Sequence, residues 1–372
     1  MQGPPKANRL RAIAASVVMA ALAATGCASA GGAPDAGHGA SAGERLRTQV
    51  VDALPAYAAD EQVSGNVRLW GHGSFRHDFM RKLINGWMQE FNRHHPDVTF
   101  EYLMYGTASA VGAVYTGAGD IAILGEEISP PAARAFLRAK GYPHTDVTIA
   151  TGSLETNFFD YAHMVFVHRD NPIERLSLRQ LDAIFGAEHR RGDRNIRRWG
   201  ELGLDGEWAD ARIQPHGWKT DVDFALFFRE RVLEDSHRWN PDIREYVHAR
   251  HPDGTQYDHG QRIIDALAED RHGIAISNVR YARPEVKALA LSWDDDGPWH
   301  PATEATLVSQ EYPLVRLIPA IVDNPPDAEL APATREFLRF ILSRQGQRIL
   351  VDQSAYLPVP ADIAARQLEK LR

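Results

Sequence analysis

The sequence predicts an α/β fold in which two mainly parallel sheets, flanked by helices, form two lobes joined by a hinge. From Asn66 onward, short apolar or β-branched runs alternate with helical patterns, which is typical of parallel sheets covered by helices. About 300 residues follow Ser64, more than one small sheet requires. Polar breaks at 156–161 and 278–284 are the candidate crossings between the lobes. A cleft between two lobes is a common place for a small ligand.

Two helices are predicted with particular clarity. The first follows the first strand, begins after Ser74 as N-cap and ends before Pro96. The second covers about 332–350. The first helix carries apolar residues at every fourth position, which form one buried face: Phe75, Phe79, Leu83, Trp87 and Phe91. The strand candidates are short apolar runs between turn-forming residues: 66–70, 98–103, 120–124, 163–168, 273–277, 287–291 and 314–322.

The N-terminal segment has the pattern of an export signal. Basic residues from Lys6 to Arg11 precede an apolar run at 12–24, which is too short for a membrane span. The run closes on Thr25-Gly26-Cys27, which resembles the lipobox of bacterial lipoproteins and implies cleavage before Cys27 and acylation of its thiol. The alternative is an ordinary secretory signal with an incidental cysteine. Residues 28–65 are predicted to form a flexible tether with a short helix.

Composition excludes several classes of function. Cys27 is the only cysteine, so the folded part has no disulfide, thiolate metal site or cysteine nucleophile. A net charge of −8 argues against a nucleic-acid partner. His248, His251 and His259 crowd one segment with Asp253 and Asp258, but without a recognised ligand spacing. We therefore expect neither a metal nor a cofactor.

Several segments resemble one family, in the same order along the chain. They are Asn171-Pro172 with Leu176-Ser177-Leu178 and 180–186, Trp199-Gly200-Glu201-Leu202-Gly203, Tyr312-Pro313-Leu314-Val315-Arg316, 337–347, and Tyr356-Leu357-Pro358-Val359. This series resembles PstS-like phosphate-binding proteins, the solute-binding components of ABC importers, over roughly 66–360. The resemblance implies a two-lobed periplasmic-binding-protein-like fold of type II, with lobe I at 66–156 plus 281–372 and lobe II at 157–280. It also implies a non-enzymatic, monomeric protein of the periplasm or cell surface, anchored to a bacterial membrane by lipid and partnered by a permease.

The resemblance also implies a set of ligand-binding loops, with phosphate as the first candidate ligand. Glycines and hydroxyl groups at helix starts suit an anion because the first-turn amides lack partners there. Trp218 stands where the family has an arginine, and Asp221 is expected to be the N-cap of the following helix. The implied binding positions are Gly73, Ser74, Thr107, Ala108, Ser109, Glu126, Trp218, Lys219 and Asp221.

The acidic members of this set bear on the ligand. A carboxylate about 4 Å from one negative charge repels it by about 4 kcal/mol at an effective dielectric near 20, whereas one helix terminus supplies up to about 2 kcal/mol. If Glu126 and Asp221 both faced the ligand unpaired, helix ends alone would not hold a phosphate dianion. Lys219, His72 or His216 would have to neutralise them; otherwise the acids point away or the ligand is neutral or cationic.

Two further classes of function stay open at this point. Ser74 beside His72 and His77 is the best sequence support for a phosphoester or cell-wall hydrolase, although the Gly-x-Ser-x-Gly motif is absent there. Trp218 in place of an arginine supports a surface lipoprotein whose cleft is retired or takes a non-phosphate ligand, because an aromatic ring can fill a cleft.

Overall fold

The computed structural model describes residues 41–71, 78–154, 161–192 and 194–371. Its strands confirm the predicted α/β class and match the predicted runs at 66–70, 98–103, 163–168 and 273–277 to within a residue or so. In chain order, the strands are β1 (Gly65–Gly71), β2 (Val98–Leu103), β3 (Ile121–Ile123), β4 (Thr145–Thr151), β5 (Met164–His168), β6 (Arg175–Ser177), β7 (Gln214–Trp218), β8 (Arg244–Tyr246), β9 (Ala249–Arg250), β10 (Gln256–Tyr257), β11 (Gly273–Ser277), β12 (Val286–Ala288), β13 (Ala290–Ser292) and β14 (Leu317–Val322).

The helices include one correction. The single helix predicted at 332–350 is two helices, because the Ser343 hydroxyl accepts from the Gly346 N–H at 3.3 Å and starts a second helix. The helices are α1 (Ala42–Asp52), α2 (Asp78–His94), α3 (Thr107–Tyr115), α4 (Pro130–Lys140), α5 (Leu178–Phe185), α6 (Asp223–Leu233), α7 (His259–Ala268), α8 (Glu304–Val308), α9 (Pro332–Ile341), α10 (Arg344–Gln353) and α11 (Ala361–Glu369).

The two five-stranded sheets have the same arrangement of strand directions. The first has the order β2-β1-β3-β14-β4, and the second has the order β12-β5-β11-β7-β8. The pairings make four strands of each sheet run one way and one strand run against them: β14 in the first sheet and β5 in the second. An opposed strand starts at the edge where its neighbours end. The residues just before β14 and β5, Arg316 and His163, therefore lie at the carboxyl edges of the two sheets.

The two segments that enter the opposed strands run side by side. The Gly152 N–H donates to the Arg316 carbonyl at 2.8 Å, and the His163 N–H donates to the Leu314 carbonyl at 3.2 Å. The buried Tyr312 hydroxyl donates to the His163 carbonyl at 3.0 Å. These bonds hold the carboxyl edges of the two sheets next to each other, which is the arrangement that a cleft between lobes requires.

Each sheet has its own apolar core. Around the first sheet, α2, α9 and α10 contribute large side chains such as Trp87, Phe91 and Phe337. Around the second, α5, α6 and α7 contribute others such as Phe185 and Phe228. The predicted face of the first helix is confirmed for Leu83, Trp87 and Phe91, whereas Ser74 and Phe75 lie outside the described residues.

The strand predicted at 287–291 is divided between two partners. Val286–Ala288 pairs with β5 in the second sheet, whereas Ala290–Ser292 pairs with β6. The buried Leu289 separates them and donates its N–H to the Val165 carbonyl at 2.9 Å. Residues just after 281, expected in lobe I, thus join the second sheet. The lobe boundaries stay a prediction, and these pairings favour a return to lobe I between Ser292 and Leu317.

Part of the segment expected to be a tether packs on the first core. Helix α1 confirms the short helix, and its N-cap Ser41 forms a capping box with Glu44. Beyond the helix, Leu54, Tyr57 and Val63 are buried, so this stretch is not a free linker. The reason is its apolar spacing, which lets the chain lie over α9 and the end of α2. Ser41–Arg372 forms one compact unit, and none of its described helices is long and apolar enough to cross a bilayer.

Tyr57→Phe is expected to destabilise the folded chain by about 1–3 kcal/mol, because it leaves a buried carboxylate short of a donor. The Tyr57 hydroxyl donates to the fully buried Glu336 at 2.9 Å and contacts His95 Nε2 at 2.6 Å. Urea denaturation would measure the loss. Tyr142→Phe is the matched control, because its hydroxyl donates to the half-buried Asp323 and should cost less. Equal costs for the two variants would contradict the assignment.

Candidate functional site

The Thr107–Ser109 loop lies at the carboxyl edge of the first sheet. Gly106 takes a φ of 98°, a conformation that favours glycine, and its N–H donates to the Gly71 carbonyl at the end of β1 at 3.2 Å. The N-cap residue of α3 is Gly106, which has no side chain to cap the helix, and the Ser109 hydroxyl donates backwards to the Gly106 carbonyl. Ala108 is exposed. The first-turn amides of α3 are therefore placed for a ligand or solvent, while Gly73 and Ser74, with His72 and His77, lie outside the described residues.

Asp221 is not the N-cap of α6, which corrects the sequence prediction. The Val222 N–H donates to the Lys219 carbonyl at 3.1 Å, and this turn delays the helix so that Val222 takes the cap position. Asp221 pairs instead with Lys219, at 2.7 Å between Nζ and Oδ2, and both side chains are exposed, by 66% and 47%. The hydrogen bond from Lys219 lowers the pKa of Asp221. Lys219 thus offsets the charge of Asp221, and α6 also starts without a side-chain cap.

Glu126 and Glu127 are held by one buried cation. Arg316, only 3% exposed, donates from Nε to Glu127 at 2.8 Å and lies 3.5 Å from Glu126 through Nη2. The Leu317 N–H donates to the other Glu127 oxygen at 2.7 Å. The two carboxylates therefore face Arg316, and Arg231 of α6 is close enough to Glu127 for their charges to interact. The sequence argument missed this role of Arg316, although an arginine directly before a buried strand is a usable signal.

Aromatic rings surround this cluster on the side of the second sheet. Trp218, at the end of β7, stacks on Phe224 with centroids 5.3 Å apart and lies 4.7 Å from the ring of His163. Phe227 of α6 lies under the Arg316 guanidinium, 4.4 Å from its Cζ atom. Burial and the charge of Arg316 hold the pKa of His163 well below its usual value, so this imidazole is neutral.

His163 joins the two halves of the site. Its Nε2 atom lies 3.5 Å from Arg316 Nη1, while its ring contacts Trp218. Of the described sequence-predicted positions, the structure brings Glu126 and Trp218 into one cluster through Arg316 and His163. Lys219 and Asp221 are exposed neighbours of Trp218 along the chain. His163 was predicted only as the start of a strand, because nothing in its local sequence marks a buried crossing.

Glu230 of α6 should make stability depend on pH. Burial, followed by the charge of Asp235, raises the pKa of Glu230 to about 7 from its ordinary 4.5. The folded state then binds the extra proton between these values, so stability is full below pH 4.5 and falls as pH rises toward 7.

Glu230→Gln is expected to remove about 1–2 kcal/mol of this decline, after allowance for partial solvent screening. Denaturation midpoints at several pH values would measure it. Parallel curves for the variant and the unsubstituted chain would contradict the assignment.

The histidine-rich segment brings three potential metal ligands together. Ligand atoms of His248, Asp258 and His259 lie within 4.8 Å of one another. However, the two imidazoles stack with centroids 4.0 Å apart at 25°, whereas a shared ion must lie in the plane of both rings. Burial, followed by the charge of His248, lowers the pKa of His259 to about 4. We therefore make no metal assignment here, and the expectation of no metal stays a prediction.

The fold, together with the comparison with known proteins, assigns the chain to a class of protein. A family model described as a PBP superfamily domain matches residues 77–345, and the chain belongs to this superfamily. Within it, the predicted resemblance to PstS-like proteins is confirmed. The chain is 28% identical over 320 residues to a phosphate-binding protein PstS of Pseudomonas aeruginosa, covering 86% of this chain and 91% of the relative.

Two further proteins are similar to the chain. Protein SphX of Synechococcus elongatus is 21% identical over 287 residues, which covers 76% of each chain. The crystal structure of PstS from Borrelia burgdorferi superposes with a TM-score of 0.51 at 14% identity, covering 80% of this chain and 99% of that one. The structural likeness bears on the fold alone.

Proposed function

We propose that the chain is the extracytoplasmic solute-binding lipoprotein of an ABC importer and binds phosphate or a related small oxyanion between its lobes. The relative in Pseudomonas aeruginosa, which bears the name phosphate-binding protein, supports this ligand class. The proposal makes the chain a binding protein and not an enzyme, with a membrane permease as partner. The proposal includes export of the chain, acylation at Cys27, and a short tether from Ala28 to about Ser41.

The observation that carries this proposal is the pair of uncapped helix starts at the facing sheet edges. Helices α3 and α6 both begin at a carboxyl edge, and neither has a capping side chain among the described residues. Two such termini supply up to about 2 kcal/mol each. Together they would offset the repulsion of about 4 kcal/mol between one unneutralised carboxylate and a negative charge about 4 Å away. A partly protonated phosphate can also donate its proton to Glu126 or Glu127, so the acids do not exclude it.

Titration calorimetry of the unit 41–372 with inorganic phosphate tests the proposal. We expect saturable one-to-one binding, and Ala108→Glu should abolish it because a carboxylate would occupy the start of α3. Ala305→Glu is the matched control, since Ala305 is also exposed at the second position of a helix, α8. A glutamate suits either helix start on its own account, so neither variant should lose stability. No heat with millimolar phosphate would overturn the phosphate proposal.

The burial of Trp218 favours one alternative. Its ring, stacked on Phe224 and beside His163, occupies space at the end of β7. A retired cleft, or one for a non-phosphate ligand, would show as a folded chain that gives no response to phosphate, arsenate or sulfate.

A further inference from the structure

Two buried polar atoms in the cleft have no hydrogen-bond partner among the described residues: Trp218 Nε1 and His163 Nδ1. Both side chains are nearly inaccessible, with 2% of Trp218 and none of His163 exposed. An unsatisfied buried donor destabilises a folded protein, so such atoms call for an explanation. Other buried tryptophans are satisfied: Nε1 of Trp87 donates to the Gly346 carbonyl at 2.8 Å, and that of Trp199 to the His272 carbonyl at 3.0 Å.

The contact with Arg316 determines which nitrogen of His163 carries the proton. A guanidinium has only donors, so His163 Nε2, 3.5 Å from Arg316 Nη1, must be the acceptor. The imidazole is neutral because burial and the nearby guanidinium disfavour a second proton. Its one N–H is therefore at Nδ1. Both unsatisfied atoms are thus uncharged N–H donors.

These donors lie at the carboxyl edge of the second sheet, beside the helix start to which the proposed function assigns the ligand. Trp218 is the last residue of β7, and its ring stacks on Phe224, the second residue of the uncapped helix α6. His163 directly precedes the opposed strand of the second sheet, 4.7 Å from Trp218 between ring centroids.

We infer that Trp218 Nε1–H and His163 Nδ1–H are ligand-binding donors, a subsite that takes oxygen atoms of the bound oxyanion. The inference rests on the proposed function and deepens it. The unfilled donors supply hydrogen bonds that the ligand completes, while the aromatic stack fixes their direction.

Trp218→Phe tests this directly, because it keeps a stacking ring and removes the N–H. We expect phosphate affinity, measured by calorimetry, to fall about 10-fold, which corresponds to one hydrogen bond of about 1.4 kcal/mol. The stability of the ligand-free variant should stay equal or rise, since an unsatisfied donor is gone. Trp199→Phe is the matched control with the opposite pattern: it breaks a formed hydrogen bond, so stability should fall and affinity should not change.

His163 offers a second pair of variants. His163→Asn keeps an amide donor near the position of Nδ1 and should retain most of the affinity, whereas His163→Phe should lose about 10-fold. The inference is overturned if the unsubstituted chain binds phosphate and Trp218→Phe binds it equally well. If the unsubstituted chain binds no phosphate at all, the proposed function fails and this inference fails with it.

Discussion

Arg316→Met is expected to destabilise the folded chain by about 3–5 kcal/mol, the usual cost of removing one partner of a buried ion pair, and to abolish phosphate binding. The guanidinium is almost fully buried and is bonded to Glu127, with Glu126 3.5 Å away. Without it, the two carboxylates at the carboxyl edge of the first sheet lose their contact with a buried guanidinium. Urea denaturation would measure the stability, and calorimetry the binding.

Two controls separate the charge from the packing of Arg316. Arg316→Lys keeps the charge but not the forked geometry, so we expect an intermediate loss. The double variant Arg316→Met with Glu127→Gln removes both charges of the Arg316–Glu127 pair. It should recover part of the stability, but not the binding. Normal stability and binding in Arg316→Met would contradict the role assigned to this residue.

Gly346→Ala is expected to destabilise the folded chain by about 3 kcal/mol or more, because overpacking against backbone cannot be relieved by a rotamer change. A Cβ atom at this position would lie 2.2 Å from the Phe340 carbonyl oxygen and 2.5 Å from that of Ile341. Gly346 is in the first turn of α10, and its own carbonyl accepts from Trp87. A shift of this turn would therefore disturb the packing of α2 as well.

Gly112→Ala in α3 is the matched control. A Cβ there would meet nothing closer than 3.7 Å, so alanine should stabilise the helix by about 0.5–1 kcal/mol. Thermal denaturation of both variants would give the comparison. A Gly346→Ala protein as stable as Gly112→Ala would show that α9 and α10 do not pack as described.

The strands that the sequence predicted well are those with uninterrupted apolar runs. β2 and β11 match residue for residue. β7 was missed because its sequence, Gln214 to Trp218, contains a proline and a glycine, which normally argue against a central strand. Its buried His216 is satisfied by tertiary contacts, to Asp270 at 3.0 Å and to the Tyr246 hydroxyl at 2.9 Å. Such partners are distant in sequence, so a local pattern cannot reveal them.

The same limit applies to the candidate site. The loop at Thr107 and the candidate position Trp218 were predicted from residue types and from the family resemblance. The partners of Glu126 and Asp221 could not be predicted in this way. Glu126 contacts Arg316, which is distant in sequence, and Asp221 pairs with its near neighbour Lys219. Whether an acid repels a ligand depends on these contacts, which a charge count from the sequence does not include.

A crystal structure of the unit 41–372 grown with phosphate tests the central claim most directly. The account predicts one tetrahedral ion between the starts of α3 and α6, within hydrogen-bond distance of the α3 amides, Trp218 Nε1 and His163 Nδ1. An ion bound elsewhere, or a closed cleft that stays empty at saturating phosphate, would contradict it.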